Sequence, residues 1–234
     1  MDTLIAAYQH RILAALTPSE RNALQLERVE YRLDDVLLRV GEPVLHYDFI
    51  EHGLVSMVTT MSDDRCSEAI NVGAHRIVAI CSVFLDGIAI SDYVVAIPGV
   101  GWRASAENFI ALTRTSPRFD LMTRRMMKMS LQMAIRNNAC QRLHSEMQRT
   151  CRWLIKARAA MHSDEIPLTQ DRLARVIGGD RQVVGRYCRQ LRDAGVIELR
   201  RGKVRIRDMA ALQRLTCECT SWVAGWYESI FEGI

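Results

Sequence analysis

Between Pro117 and His144 the chain runs for 28 residues, PRFDLMTRRMMKMSLQMAIRNNACQRLH, without a glycine or an internal proline. Such a stretch predicts one continuous helix roughly 42 Å long, at about 1.5 Å per residue. Ser116 stands where an N-cap belongs, and Pro117 suits the first helical position. Met122, Met126, Met129, Met133, Cys140 and Leu143 follow at steps of 4, 3, 4, 7 and 3, a heptad seam with Arg136 in its one polar slot. This seam is expected to meet a second copy of the chain, with the softness of methionine suiting a pairing that shifts. The other apolar face, Met127, Leu131, Ala134 and Ile135, is expected to rest on the N-terminal part of the same chain.

A helix of that length divides the sequence into unlike halves. From Leu26 to Ala104 the pattern is of short β-branched runs such as VLLRVGEPV, HYDFI, GLVSMVTT, RIVAI and SDYVVAIPGVGWRAS. Gly41-Glu42-Pro43, Gly53, Asp63-Asp64 and Pro98-Gly99 punctuate them as turns, which predicts an antiparallel β-roll or sandwich. An amphipathic helix is expected before it, in MDTLIAAYQHRILAAL, and a short one after it, from about Ala106 to Arg114. The expected class is α+β, with residues 1–116 as a helix plus β-roll, 117–144 as the dimerisation helix and 145–234 as a third unit.

That third unit carries the most specific signal. Thr169 can cap a helix QDRLARVIG, Gly178-Gly179 makes a turn, and Asp180 caps a second helix that buries Val184, Tyr187, Cys188 and Leu191. VIEL and VRIR then pair around Arg200–Lys203. This is a helix-turn-helix with a basic wing, whose second helix offers its N-terminal residues to a major groove. Arg181, Gln182 and Arg186 lie on that outer face. An arginine fork suits guanine O6 and N7, and a glutamine amide suits adenine N6 and N7. Thr169, Gln170, Arg189, Arg200, Arg201 and Lys203 are placed for phosphates, which give affinity without sequence choice. Charge agrees: residues 1–120 hold 10 Lys and Arg against 16 Asp and Glu, whereas residues 145–207 hold 15 against 7. A last amphipathic helix is expected from about Met209 to Phe231.

A β-roll, a long helix and LTQDRLARVIGGDRQVVGRYCRQLRDAGVIELRRGKVRIRD together resemble the cyclic-AMP receptor/fumarate-nitrate regulator (CRP/FNR) family of bacterial transcription factors. The resemblance covers essentially the whole chain. It implies a homodimer on a palindromic double-stranded DNA site, with RNA polymerase as a further partner if it activates. A cytoplasmic location is expected because MDTLIAAYQHRILAAL has neither the basic start nor the small-residue cleavage site of a signal peptide. It also puts Arg181, Gln182 and Arg186 at the three main base-reading positions. Gln182 departs from the receptor's glutamate there, so a different half-site is implied.

The same resemblance sets limits on the signal. Ile80 stands where a ribose-binding glutamate would fall, and Ser91-Asp92 where a phosphate-holding Arg-Ser pair would be, so cyclic AMP is not expected. No cofactor and no metal are expected either. The first cysteine is Cys66, so an N-terminal iron–sulfur cluster is missing. His46, His52 and His75 are the available haem ligands, each read as a surface or turn residue. The seven cysteines are scattered, and Cys217 and Cys219 lack C-x-x-C spacing. Redox sensing through Cys140, Cys151 or the Cys217/Cys219 pair stays open, weakened because residues two apart on a helix point in different directions. Against enzymes, including cupin-like metal enzymes, stands the absence of a convergent nucleophile, acid–base or ligand set. An adaptor whose β-roll binds a protein would share the same reading head.

Overall fold

A computed structural model describes residues 8–62 and 66–233. Its chain order is α1 (Arg11–Ala15), α2 (Pro18–Leu24), β1 (Glu27–Tyr31), β2 (Val36–Leu38), β3 (His46–Thr60), β4 (Cys66–Val72), β5 (Asp92–Ser105), α3 (Ala106–Thr115) and α4 (Pro117–Leu143). Then come α5 (Glu146–Met161), β6 (Glu165–Ile166), α6 (Gln170–Ile177), α7 (Arg181–Asp193), β7 (Ile197–Arg200), β8 (Lys203–Ile206), α8 (Met209–Leu215) and α9 (Trp222–Glu228). Two compact units result, one of residues 1–57, 71–132 and 225–234 and one of 58–70 and 133–224. Among the described residues no helix is long and apolar enough to cross a membrane.

The N-terminal sheet is antiparallel, with strand order β1-β5-β3-β4 and β2 added to β5. Gly53 and Pro98-Gly99, read as turns, lie instead inside β3 and β5. Their sequence signature has another cause. The two strands approach so closely that a Cβ on Gly99 would sit 1.9 Å from the His52 carbonyl oxygen, and one on Gly53 would be 2.9 Å from Gly99 Cα. Gly53 also takes φ +95°, which only glycine adopts cheaply. RIVAI is not a strand either. It enters a 3-10 turn at Ile80–Ser82 and touches the sheet through an isolated Phe49–Ile77 bridge. The Asp63-Asp64 turn and the start of the N-terminal helix lie outside the described residues, and Thr17-Pro18 separates α1 from α2 with a capping box to Glu20.

Tyr47, Phe49, Phe109 and Phe119 stack through the core of this unit, Tyr47 and Phe109 with ring centroids 4.3 Å apart. Two buried carboxylates are each paired with an arginine. Arg103 makes a two-point bond to buried Asp48 at 2.6 and 3.0 Å, and Arg28 reaches buried Glu51. His10 is fully buried, its ring edge-on to Phe49 and 6.0 Å from His75, with Nε2–H aimed at the Arg76 carbonyl. Burial, reinforced by His75, lowers its pKa to about 3. Because the folded value lies below the unfolded one, His10 favours folding above about pH 6.5 and this stability is lost as pH falls towards 3. We expect roughly 3 kcal/mol to be lost by pH 4 on this account. Denaturant titrations against pH should show that His10→Gln flattens the acid limb.

The long helix is as expected, and Ser116 Oγ accepts from Phe119 N at 3.1 Å at its start. The facing of the helix is not as expected. Met122, Met126, Met129, Met133 and Cys140 are each at most 2 % exposed, buried by their own chain; of the six seam residues, Leu143 stays exposed. The other face is the open one, with Leu131 61 % and Ile135 63 % exposed. A heptad count finds the apolar stripe but not what covers it.

The C-terminal helix is also interrupted. Thr216 and Cys217 are extended, with ψ 168° and 161°, and a 3-10 turn at Glu218–Thr220 separates α8 from α9. Thr216 Oγ1 meets Thr220 Oγ1 at 3.0 Å across this break, a local side-chain bond competing with helix continuation.

Candidate nucleic-acid interface

Alternation of buried and exposed residues builds the reading head. Leu173, Ala174 and Ile177 of α6 are buried with Val184, Cys188 and Leu191 of α7. Between the helices Gly178 takes φ +63°, and Gly179 N–H returns to the Ala174 carbonyl at 3.0 Å, which closes α6 with a glycine cap. Asp180 then accepts from Gln182 N at 2.8 Å and Val183 N at 3.1 Å and starts α7. The turn is held from behind: Gln141 on α4 and Arg149 on α5 each donate to the Ile177 carbonyl at 3.3 Å.

Capping at Asp180 fixes which residues face outward. Arg181, Gln182, Arg186 and Arg189 are exposed, and with Gln170 and Gly185 they line one open groove. A Cβ on Gly185 would lie 3.1 Å from the Gln170 side-chain oxygen, so glycine lets α6 and α7 meet at this edge. Thr169 Oγ1 caps α6, accepting from Arg172 N at 3.2 Å. An adjoining groove runs from Thr169, Gln170 and Arg181 to Arg200, Gly202 and Lys203. There β6, β8 and β7 form a small antiparallel sheet, with Arg200 opposite Lys203 and Gly202 at φ +72° in the turn.

Sequence reasoning missed the acidic partners of this surface. Arg181 is paired with Asp171 one helix away. Lys203 Nζ meets Glu165 at 2.6 Å, Arg200 Nε meets Glu198 at 2.6 Å, and Arg207 also reaches Glu198. The hydrogen bond from Lys203 holds the Glu165 carboxyl below the usual carboxylate range, and that from Arg200 does the same for Glu198. Both acids are therefore anionic whenever the wing is folded near neutral pH. A β6 strand of two residues is too short to read from sequence, which is why Glu165 was not associated with the wing.

Cys140 is another departure. It is not on an open seam but forms a buried cluster with Cys217 and Cys219. The latter two do not diverge, because Cys217 lies outside any helix and Cys219 sits in the 3-10 turn. His46, at the start of β3, is exposed, whereas His75 faces buried His10.

A capped helix-turn-helix with a basic wing, preceded by an antiparallel sheet and a long helix, is a winged helix-turn-helix joined to a second unit. Its residues 148–215 match the family model of the Crp-like helix-turn-helix domain. Over about four-fifths of its length the chain has the fold of solved CRP/FNR-family regulators. It is similar to FixK2 from Bradyrhizobium japonicum, with a TM-score of 0.69 and 14 % identity over 82 % of this chain and 98 % of that one. It is similar also to a CRP-family regulator from Thermus thermophilus (0.66, 16 %, 80 % and 95 %). A third likeness is to the c-di-GMP responsive global regulator CLP from Xanthomonas campestris (0.64, 19 %, 81 % and 98 %). No curated protein sequence matches the chain.

Proposed function

We propose that the chain is a homodimeric, sequence-specific transcription regulator that reads a two-fold-symmetric DNA site without cyclic AMP. The observation that carries the reading is the outward set Arg181, Gln182 and Arg186 on the first turns of a capped helix, beside a basic wing. In this reading those three contact base edges, while Thr169, Gln170, Arg189, Arg200, Arg201 and Lys203 contact phosphates. Residues 1–116 serve as sensor, 117–144 as the pairing helix and 145–234 as the reading head. RNA polymerase is a further partner if the chain activates.

Pairing is now assigned to the exposed side of α4. Leu121, Arg124, Lys128, Leu131, Ile135, Asn138 and Arg142 are all exposed and fall at steps of 3, 4, 3, 4, 3 and 4. That spacing is a heptad seam in its own right, apolar at Leu121, Leu131 and Ile135. Two such helices would set the reading heads about 34–36 Å apart on successive major grooves. Because Gln141 also bonds the turn of the reading head, a shift of α4 has a direct route to it.

Two features speak against cyclic AMP. Ile80 is buried in its 3-10 turn, and Asp92 spends its carboxylate on Val40 N–H at 2.8 Å. A phosphate brought there meets an anion instead of an arginine. We expect cyclic AMP to leave DNA affinity unchanged in an anisotropy titration. A saturable gain in affinity overturns that part of the proposal. The whole reading is tested by selecting random duplex DNA on the purified protein. A gapped palindrome is the expected motif, and half-sites without a partner contradict the dimer.

A further inference from the structure

We infer that Cys140, His144, Cys217 and Cys219 form a mononuclear zinc site. One ligand atom from each lies within 4.8 Å of all the others. Cys140 Sγ and Cys217 Sγ are 3.7 Å apart, and Cys219 Sγ lies 3.8 Å from His144 Nδ1. Tetrahedral zinc with bonds of about 2.3 Å to sulfur requires thiolates about 3.8 Å apart. At 3.7 Å Cys140 and Cys217 stand as two free thiols and not as a disulfide, whose sulfurs lie about 2.05 Å apart. Their separation matches that of two thiolates on one zinc.

Local structure explains the convergence. His144 N–H bonds the Cys140 carbonyl at 3.2 Å, so the helical turn carries on past Leu143 and sets residues 140 and 144 on one face. The break after α8 supplies the other two ligands, since Cys217 caps the 3-10 turn that contains Cys219. All three thiols are at most 3 % exposed.

An independent observation concerns the imidazole. His144 Nε2 lies 3.1 Å from the Glu218 carboxylate, so in the neutral ring the proton belongs on Nε2 and Nδ1, the atom facing the thiols, has the lone pair. A carboxylate holding the remote nitrogen of a histidine is the usual outer partner of a metal ligand. Three thiolates and one imidazole select zinc among the common divalent ions, as soft donors in tetrahedral array. Thiolate ligation by reduced cysteines releases their protons to solvent, and no electron is transferred. Four donors this close enclose one ion, whereas an iron–sulfur cluster spreads its ligands over separate irons. The ion would fasten the end of α4 to the segment after α8. It asks nothing of the DNA-reading surface, so either conclusion can fail alone.

The experiment is a Co²⁺ titration of the reduced, full-length chain, with zinc content measured by atomic spectroscopy after gel filtration. We expect the intense visible bands of tetrahedral thiolate cobalt, saturating at about one equivalent and bleached by zinc. Cys219→Ala, which leaves α4 untouched, should lose those bands while its circular dichroism persists; Cys66→Ala, outside the cluster, should keep them. Zinc should raise the melting temperature of the wild type and not of Cys219→Ala. A reduced, folded wild-type chain that binds no cobalt overturns the site, as does a cobalt spectrum that survives Cys219→Ala. So does a Cys140–Cys217 disulfide in metal-free protein kept under reductant.

Discussion

Replacing Leu131 and Ile135 together by aspartate is expected to leave a folded monomer that has lost specific DNA binding by about 10²–10⁴-fold. Both side chains are more than 60 % exposed in the single chain, so the substitutions open no core and the monomer stays folded, with a melting temperature lowered only by what pairing contributed. In a dimer built on this stripe, each aspartate would sit in an apolar seam opposite its own copy, combining desolvation with like-charge repulsion. What disappears is the linkage between two half-site contacts, not the contacts themselves. Sedimentation should therefore report a monomer, and anisotropy with a single half-site should report unchanged weak affinity. A dimer that survives the double substitution moves the interface elsewhere on the chain.

Arg186→Ala is expected to act through the bases. A bidentate arginine–guanine contact contributes about 1–3 kcal/mol of discrimination, and a symmetric site uses it twice. The loss for the selected palindrome is then about 2–6 kcal/mol, roughly 30-fold to 10⁴-fold, with much smaller change on random DNA. One position per half-site should become degenerate in a repeated selection. Arg201→Ala supplies the contrast, because a phosphate contact weakens all sequences about equally. If Arg186→Ala leaves the preferred sequence intact, α7 is not the reading helix. Arg181→Ala is expected to behave like Arg186→Ala but less severely, since Arg181 must first leave Asp171.

How much of this was visible in the sequence depends on the range of the forces involved. The helix-turn-helix was legible because its signals are local: the Asp180 cap, the Gly178 turn and the apolar spacing of α7 all act within a few residues. The end of α3 and the start of α4 were legible for the same reason, through Ser116-Pro117. Gly53 and Gly99 misled because a glycine that admits a neighbouring backbone looks the same in sequence as one that makes a turn. On α4 the apolar periodicity was real, but two stripes compete, and only tertiary contact decides that the methionines are covered and Leu131 and Ile135 are not. The cysteine–histidine cluster was invisible because its halves are more than 70 residues apart, and because residues 217–219 seemed to belong to a helix.

The acidic partners of the wing bear on how affinity responds to salt. A cation that meets DNA from free solution displaces a condensed counterion and gains the entropy of its release. Arg200 and Lys203 do not come from free solution, because Glu198 and Glu165 already neutralise them. If they turn to phosphate as proposed, the carboxylates they leave would recruit ions from the buffer and cancel part of that gain. Log affinity should therefore fall less steeply with log salt than a count of basic contacts suggests. Random DNA offers the wing the same phosphates, so this cancellation weakens all sequences alike and leaves discrimination to the bases that α7 would meet.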